Sequence, residues 1–206
     1  MIKTSQEKFW IGNFGNKYIR RNKKSLYLSR KKNLFKFALK KVKKINSCIE
    51  LGAGIGTNII CLKKRFPKAD FSALEINKLA SKKLKKIIKK NNIINRSVLK
   101  WRPKNKYDLV LTCGFLIHIE PKKLQKLYKL IIKSSKKYIL ICEYYDPKPQ
   151  VLNYRGYKNK LFKRDFAGEL IKKYKNLKLI DYGFVYRNDP WYPLDDLSWF
   201  LLKKKN

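Results

Sequence analysis

Fourteen acidic residues face 52 lysines and arginines in this chain of 206, so a carboxylate kept in apolar surroundings marks a place where charge is wanted. Glu50, Glu75, Asp108 and Glu143 all stand at the edges of apolar runs. Glu50 opens the stretch "ELGAGIGTN", in which Gly52, Gly54 and Gly56 alternate with small residues. Glycines spaced in this way let the backbone come close to a dinucleotide, a phosphate, a nucleoside without phosphate, or only the next helix. Phosphate ligands are disfavoured: the dinucleotide fingerprint wants a glycine where Thr57 stands, and the Walker pattern is absent. An acid at Glu50 would repel a phosphate and suits an ammonium group. Glu75 ends the next apolar run, where a carboxylate can accept hydrogen bonds from both hydroxyls of a ribose. Its plainer alternative is an acid that caps the helix beginning at "NKLA". Glu50, the glycine turn and Glu75 together describe a nucleoside with an unphosphorylated, positively charged substituent. S-adenosylmethionine fits that description.

These groups need a scaffold that brings strand ends together. "CIEL" reads as a short buried strand running into the glycines, and "TNIICLKKRFP" has helical spacing up to Pro67. A second strand covers 70–76, followed by an amphipathic helix, "NKLASKKLKKIIKKN", with Asn77 as N-cap. A third strand is expected over 94–99, a strong one begins at Tyr107, and Pro121 opens another helix. "KYILICEYY" makes a fifth strand. Strands alternating with helices imply right-handed β-α-β units around a mostly parallel sheet. Residues 177–185 and 197–203 read as an antiparallel hairpin added to it, with the polar and aromatic connection 146–166 and a helix before them. The expectation is an α/β fold of Rossmann type, seven strands with helices on both faces, in a single domain over 1–206. Within it, 1–45 form a helical cap or lid laid across the sheet's edge, 46–145 the cofactor-binding core, and 146–206 an acceptor-side insertion and closing strands.

"CIELGAGIGTN", "FSALEIN" and "YDLVLTCGFLIHIEP", in that order, resemble the successive cofactor motifs of class I S-adenosylmethionine-dependent methyltransferases. More narrowly, "EKFWIGNFGNKYIRRN", "YILICEYYDPKP", "YRGYKNKLFKRDFAGEL" and "DYGFVYRNDPWYPLDDLSWFLL" resemble the pseudaminic acid biosynthesis-associated methylase family. The resemblance implies that Glu50, Gly52, Gly54 and Gly56 surround the methionyl end and ribose of the cofactor. It implies that Glu75 holds the ribose, with Ile76 against the adenine and Ser97, Val98 and Leu99 lining the adenine pocket. Cys113 and Gly114 would lie beside the sulfonium. The chain departs from the pattern where Lys100 and Trp101 replace the usual acid.

Methyl transfer is an in-line displacement that needs alignment in a dry pocket, and a hydroxyl acceptor also benefits from a general base. His118, the sole histidine, is the first candidate, or else it orders its loop. Glu143 and Asp165 are alternatives, Asp165 equally a helix N-cap. Tyr144, Tyr145, Tyr154, Arg155, Lys163 and Arg164 supply aromatic faces and cations for a sugar carrying a carboxylate or phosphate. Trp10, Phe14 and Tyr18 either close over the pocket or pack the first helices on the sheet.

The net charge of +38 points to non-specific polyanion binding at low salt, because lysine is spread over nearly every segment instead of forming a stripe. The partner expected is therefore a small acceptor, a nonulosonic sugar by the narrower resemblance, with no specific nucleic acid. An RNA or protein acceptor, or a binding module without catalysis, are the alternatives. Cys48, Cys61, Cys113 and Cys142 have neither disulfide nor metal-site spacing, and no apolar run would span a bilayer. With no apolar leader visible, a cytoplasmic protein without a metal is expected.

Overall fold

The computed structural model describes residues 3–22 and 25–205. Seven strands form one sheet: β1 (Ser47–Leu51), β2 (Asp70–Leu74), β3 (Ile93–Ile94), β4 (Tyr107–Cys113), β5 (Ser135–Glu143), β8 (Leu177–Val185) and β9 (Leu197–Lys204). A separate two-stranded hairpin consists of β6 (Gln150–Tyr154) and β7 (Tyr157–Lys163). The order in the main sheet is β3-β2-β1-β4-β5-β9-β8. The first five strands pair in parallel, and β9 then runs antiparallel between β5 and β8. The strand order reverses between β1 and β4, which is where an open α/β sheet leaves a crevice at its carboxyl ends.

Alternation along the strands separates two apolar cores. Cys48, Leu109, Leu111, Leu140, Cys142 and Leu201 face one way, against α3 (Ser25–Ala38), α4 (Thr57–Arg65) and α5 (Lys78–Leu84). Ile49, Leu51, Val110, Ile139, Ile141 and Leu202 face the other, against α6 (Pro121–Ser134) and α7 (Phe166–Lys173). Among the described residues no helix is long and apolar enough to cross a membrane.

Four expectations need correction. The first helices do not cross the sheet's edge as one unit. α3 packs on a sheet face, whereas α1 (Ser5–Ile11) and α2 (Asn13–Arg21) lie over the strand ends. The third strand stops at Ile94, because Asn95 turns its amide onto the carbonyls of Glu75 and Ile76, and 97–101 close into a turn that buries Trp101. α5 ends at Leu84, where the chain tightens so that Ile87 reaches Gly56 and Ile88 enters the core. The polar and aromatic connection after Asp146, read without strands, holds the β6–β7 hairpin, whose Arg155-Gly156 turn has φ of 51° and 83°. Two successive positive φ values match the right-handed twist of the flanking strands.

Candidate active site

The strands deliver their C-terminal neighbours to one cavity of about 430 Å³, within the range of roughly 300–1,000 Å³ usual for small-molecule sites. Gly52 follows β1, Glu75 follows β2, Gly114 follows β4 and Tyr144 follows β5, and all four line it. Ile76, Ser97, Val98, Leu99 and Cys113 complete the floor, while Trp10, Tyr18, His118, Tyr154 and Arg155 form the wall opposite.

The three glycines do three different things. A side chain at Gly52 would collide with the Phe115 ring, and one at Gly56 with Leu84 and Ile87. Gly56 is thus a packing glycine and does not line the cavity. Gly54 has φ +55° and Gly114 φ +61°, and a Cβ on either would meet nothing within 4 Å. Those two positions leave the cavity open where any other residue would partly fill it.

Glu75 is buried, and its carboxylate is oriented by two backbone donors, Gly54 N–H to Oε2 and Asn77 N–H to Oε1, both 2.7 Å. Burial raises its pKa despite these bonds. Each oxygen keeps a lone pair for a further donor. Asn77 is the N-cap of α5, accepting from Ala80 N–H at 3.0 Å, so capping belongs to Asn77 and orientation to Glu75.

Glu50 departs from its expected place. It shares the Cys48 face of β1, beneath α4, and does not line the cavity. Asn58 donates to its Oε1 at 2.5 Å, and Lys31 donates in turn to the Asn58 oxygen at 2.7 Å. Oε2 has no partner, and burial pushes the carboxyl up to about 8, against the lowering effect of the Asn58 bond. Asn58 and Lys31, rather than Glu50, meet the cavity. Neither was visible as a site residue in the sequence, because Lys31 is one of many lysines and lies 27 positions from its partner.

Glu143 is not available as a base. It is 2% exposed and does not line the cavity, and its two oxygens accept from the backbone N–H groups of Phe115, Leu116 and Ile117 at 3.0–3.4 Å. Burial lifts its pKa to about 8. The carboxylate folds the loop that presents His118. Asp165 is the N-cap of α7, accepting from Gly168 N–H at 2.8 Å.

His118 lies between the rings of Trp10 and Tyr154, with centroids 4.7 and 4.8 Å away. Its Nδ1 is 2.8 Å from the Lys160 carbonyl of β7. A carbonyl only accepts, so Nδ1 carries the hydrogen and Nε2 keeps a free lone pair. Burial depresses the pKa to about 4, leaving the ring neutral near pH 7. The ordering role is seen in the Nδ1 bond to β7, and Nε2 is left without a partner among the described residues. Cys113, in register with Cys142 on β5, is held below the usual thiol value by a hydrogen bond from that neighbour and by Lys31, against burial.

Three acceptor-side candidates fall elsewhere. Tyr145 is exposed and packs on Phe200, next in sequence to Tyr144 beyond the end of β5. Lys163 sits over the Tyr144 ring at 5.8 Å, behind the wall, and Arg164 pairs with Glu169 at 2.7 Å. Phe14 stacks on Phe9 at 4.0 Å, so among the first aromatics only Trp10 and Tyr18 reach the cavity. Glu7, which caps α1 with Thr4 and receives the Ser97 hydroxyl, joins the lining unannounced by the sequence reading.

No protein-family model matches the chain, and no curated protein matches it in sequence. Solved structures do match in fold. A Leishmania major S-adenosylmethionine-dependent methyltransferase superposes with a TM-score of 0.72 at 17% identity, covering 98% of this chain and 87% of that one. The plantazolicin methyltransferase BpumL in complex with S-adenosylhomocysteine gives 0.67 at 14%, covering 98% and 95%. The O-methyltransferase of a Brevibacillus brevis polyketide synthase, also with S-adenosylhomocysteine, gives 0.65 at 15%, covering 100% and 81%. With its mostly parallel seven-stranded sheet and terminal antiparallel hairpin, the chain has the Rossmann-like fold of these methyltransferases.

Proposed function

We propose that this chain transfers a methyl group from S-adenosylmethionine to a small polar acceptor, a nonulosonic sugar or its precursor. The observation that carries the reading is the cavity floor, where Gly54 and Gly114 leave the backbone open and Glu75 presents a buried, oriented carboxylate. A ribose with two free hydroxyls suits that carboxylate, and Ile76 with Ser97, Val98 and Leu99 offers a slot for a planar base. The fold neighbours bound to S-adenosylhomocysteine support the same occupant.

When bound, S-adenosylmethionine supplies a methyl on a sulfonium whose positive charge is lost as the methyl leaves. The chain's own residues then have three tasks. Gly114 and Cys113 stand at the end of β4, where the backbone must leave room for the sulfur and its methyl. Trp10, Tyr18 and Tyr154 exclude water from the acceptor side. The His118 Nε2 takes a proton from an acceptor hydroxyl, while Glu143 and the Lys160 carbonyl hold the imidazole in place. The sugar reading rests on the flanking segments that resemble pseudaminic acid-associated methylases, and on Arg155 at the cavity wall as a partner for an acidic group.

The test is release of S-adenosylhomocysteine with nonulosonic sugars, their nucleotide-activated forms, nucleotide amino sugars, bulk RNA and a metabolite extract, each product weighed for one added methyl. Turnover on a sugar is expected. Turnover on RNA alone would reassign the acceptor and give the charge of +38 a function.

A further inference from the structure

In a chain with 52 cationic and only 14 acidic side chains, an acid without a partner is unusual. The described structure accounts for nearly all of them by burial, caps, turns or ion pairs. Asp181 meets Lys40 and Lys41, Asp196 meets Arg187, Asp189 holds the amides of Trp191 and Tyr192, and Glu120 meets Lys122. Among the described residues, only the side chains of Asp70 and Asp195 make no hydrogen bond or ion pair. Asp70 begins β2 at the opposite end of the sheet. Asp195 lines the cavity, close enough to Tyr144 for its charge to raise that phenol's pKa, after burial.

Four cations that make no ion pair among the described residues line the same cavity: Lys31, bonded to Asn58, and Arg96, next to Ser97, on the floor side, and Lys123 and Arg155 on the side of His118 and Tyr154. Asp195 pairs with neither Lys123 nor Arg155, and Tyr144 and Tyr154, whose rings are met by Lys163 and Arg155, line the same cavity. A carboxylate suits an ammonium group, and a guanidinium suits a carboxylate or phosphate.

We infer that the acceptor is zwitterionic: a free protonated amine is held by Asp195 beside Tyr144, and an acidic group by Arg155 with Lys123. This deepens the proposed methyl transfer and rests on it. Asp195 is exposed at the rim whereas His118 is buried, so Asp195 selects the acceptor and His118 faces the reacting atom.

The experiment uses the full chain loaded with S-adenosylhomocysteine and two probes, the methyl glycosides of neuraminic acid, with a free amine, and of N-acetylneuraminic acid. Loading is measured first by calorimetry, and failure to load sinks the methyl-transfer reading itself. In loaded protein the free-amine probe is expected to bind at least tenfold more tightly. Asp195→Asn should erase that preference with S-adenosylhomocysteine affinity unchanged, and Arg155→Gln should weaken both probes equally. Equal binding of the two probes, no binding of either, or a preference that survives Asp195→Asn would overturn the proposal.

Discussion

The floor and the cover of the cavity are built by different means. The floor is backbone: glycines, strand ends and peptide N–H groups locked into a parallel sheet, with Glu75 oriented by two of them. The cover is side chain: Phe14, Tyr18 and His118 meet Trp10 edge to face, and Tyr154 of the β6–β7 hairpin lies tilted against it. A backbone floor tolerates few substitutions and is indifferent to the acceptor. A side-chain cover can be rewritten residue by residue, so specificity belongs there.

Substitutions that separate binding from turnover test this division. The largest effect should come from Gly54→Val, which fills open floor and strains a positive φ. S-adenosylhomocysteine affinity should fall more than about 1,000-fold by calorimetry, and a loss under tenfold would mean the floor is not where the ligand lies. His118→Ala, on the cover, should leave that affinity within about twofold and cut turnover by about 100-fold or more. Unaltered turnover would leave the histidine only its bond to Lys160. Glu75→Ala should weaken the same affinity by about one to two orders of magnitude, through lost bonds to a charged acceptor.

A separate effect, on stability and not on binding, lies beneath the floor. Glu50 titrates ordinarily at 4.5 and at about 8 when folded, so between those values the native state binds more protons than the unfolded one. Its contribution is therefore most favourable at low pH and is lost as pH rises from about 5 to about 8. Relative to wild type, Glu50→Gln should gain stability across that window by at most about 1.4 kcal/mol per pH unit, then run parallel above it. Denaturant midpoints at several pH values read this directly, and a constant gap would mean that Glu50 is ionised throughout.

The floor was legible in the sequence because its signals are local. Apolar runs ending in Gly52, Glu75 and Gly114 fix strand, turn and ligand side within a few residues. The cover was read less well. The β6–β7 hairpin was missed because its strands are largely exposed and polar and its turn is Arg-Gly in place of Asn-Gly. Tyr144 and Tyr145 look alike in sequence, but past the end of β5 only Tyr144 lines the cavity, while Tyr145 is exposed against Phe200. Glu143 looked like a base because a carboxylate at a strand end has the same letter whether it faces a ligand or three amides.

The way the cover is fastened bears on the rate of exchange. Asn77 holds the Trp10 carbonyl and the Asn16 side chain, Ser97 donates to Glu7, and Lys83 reaches the Ile19 carbonyl. From the other side, Gln6 reaches the Asn159 carbonyl and Lys160 the Ser5 hydroxyl. α1 and α2 are thus clasped to the floor and to the hairpin at once, by polar bonds that water can replace one by one. A nucleoside enclosed beneath them would leave no faster than the clasp opens, so the residence time of product, and with it the ceiling on turnover, is written into the first two helices rather than into the residues around the methyl.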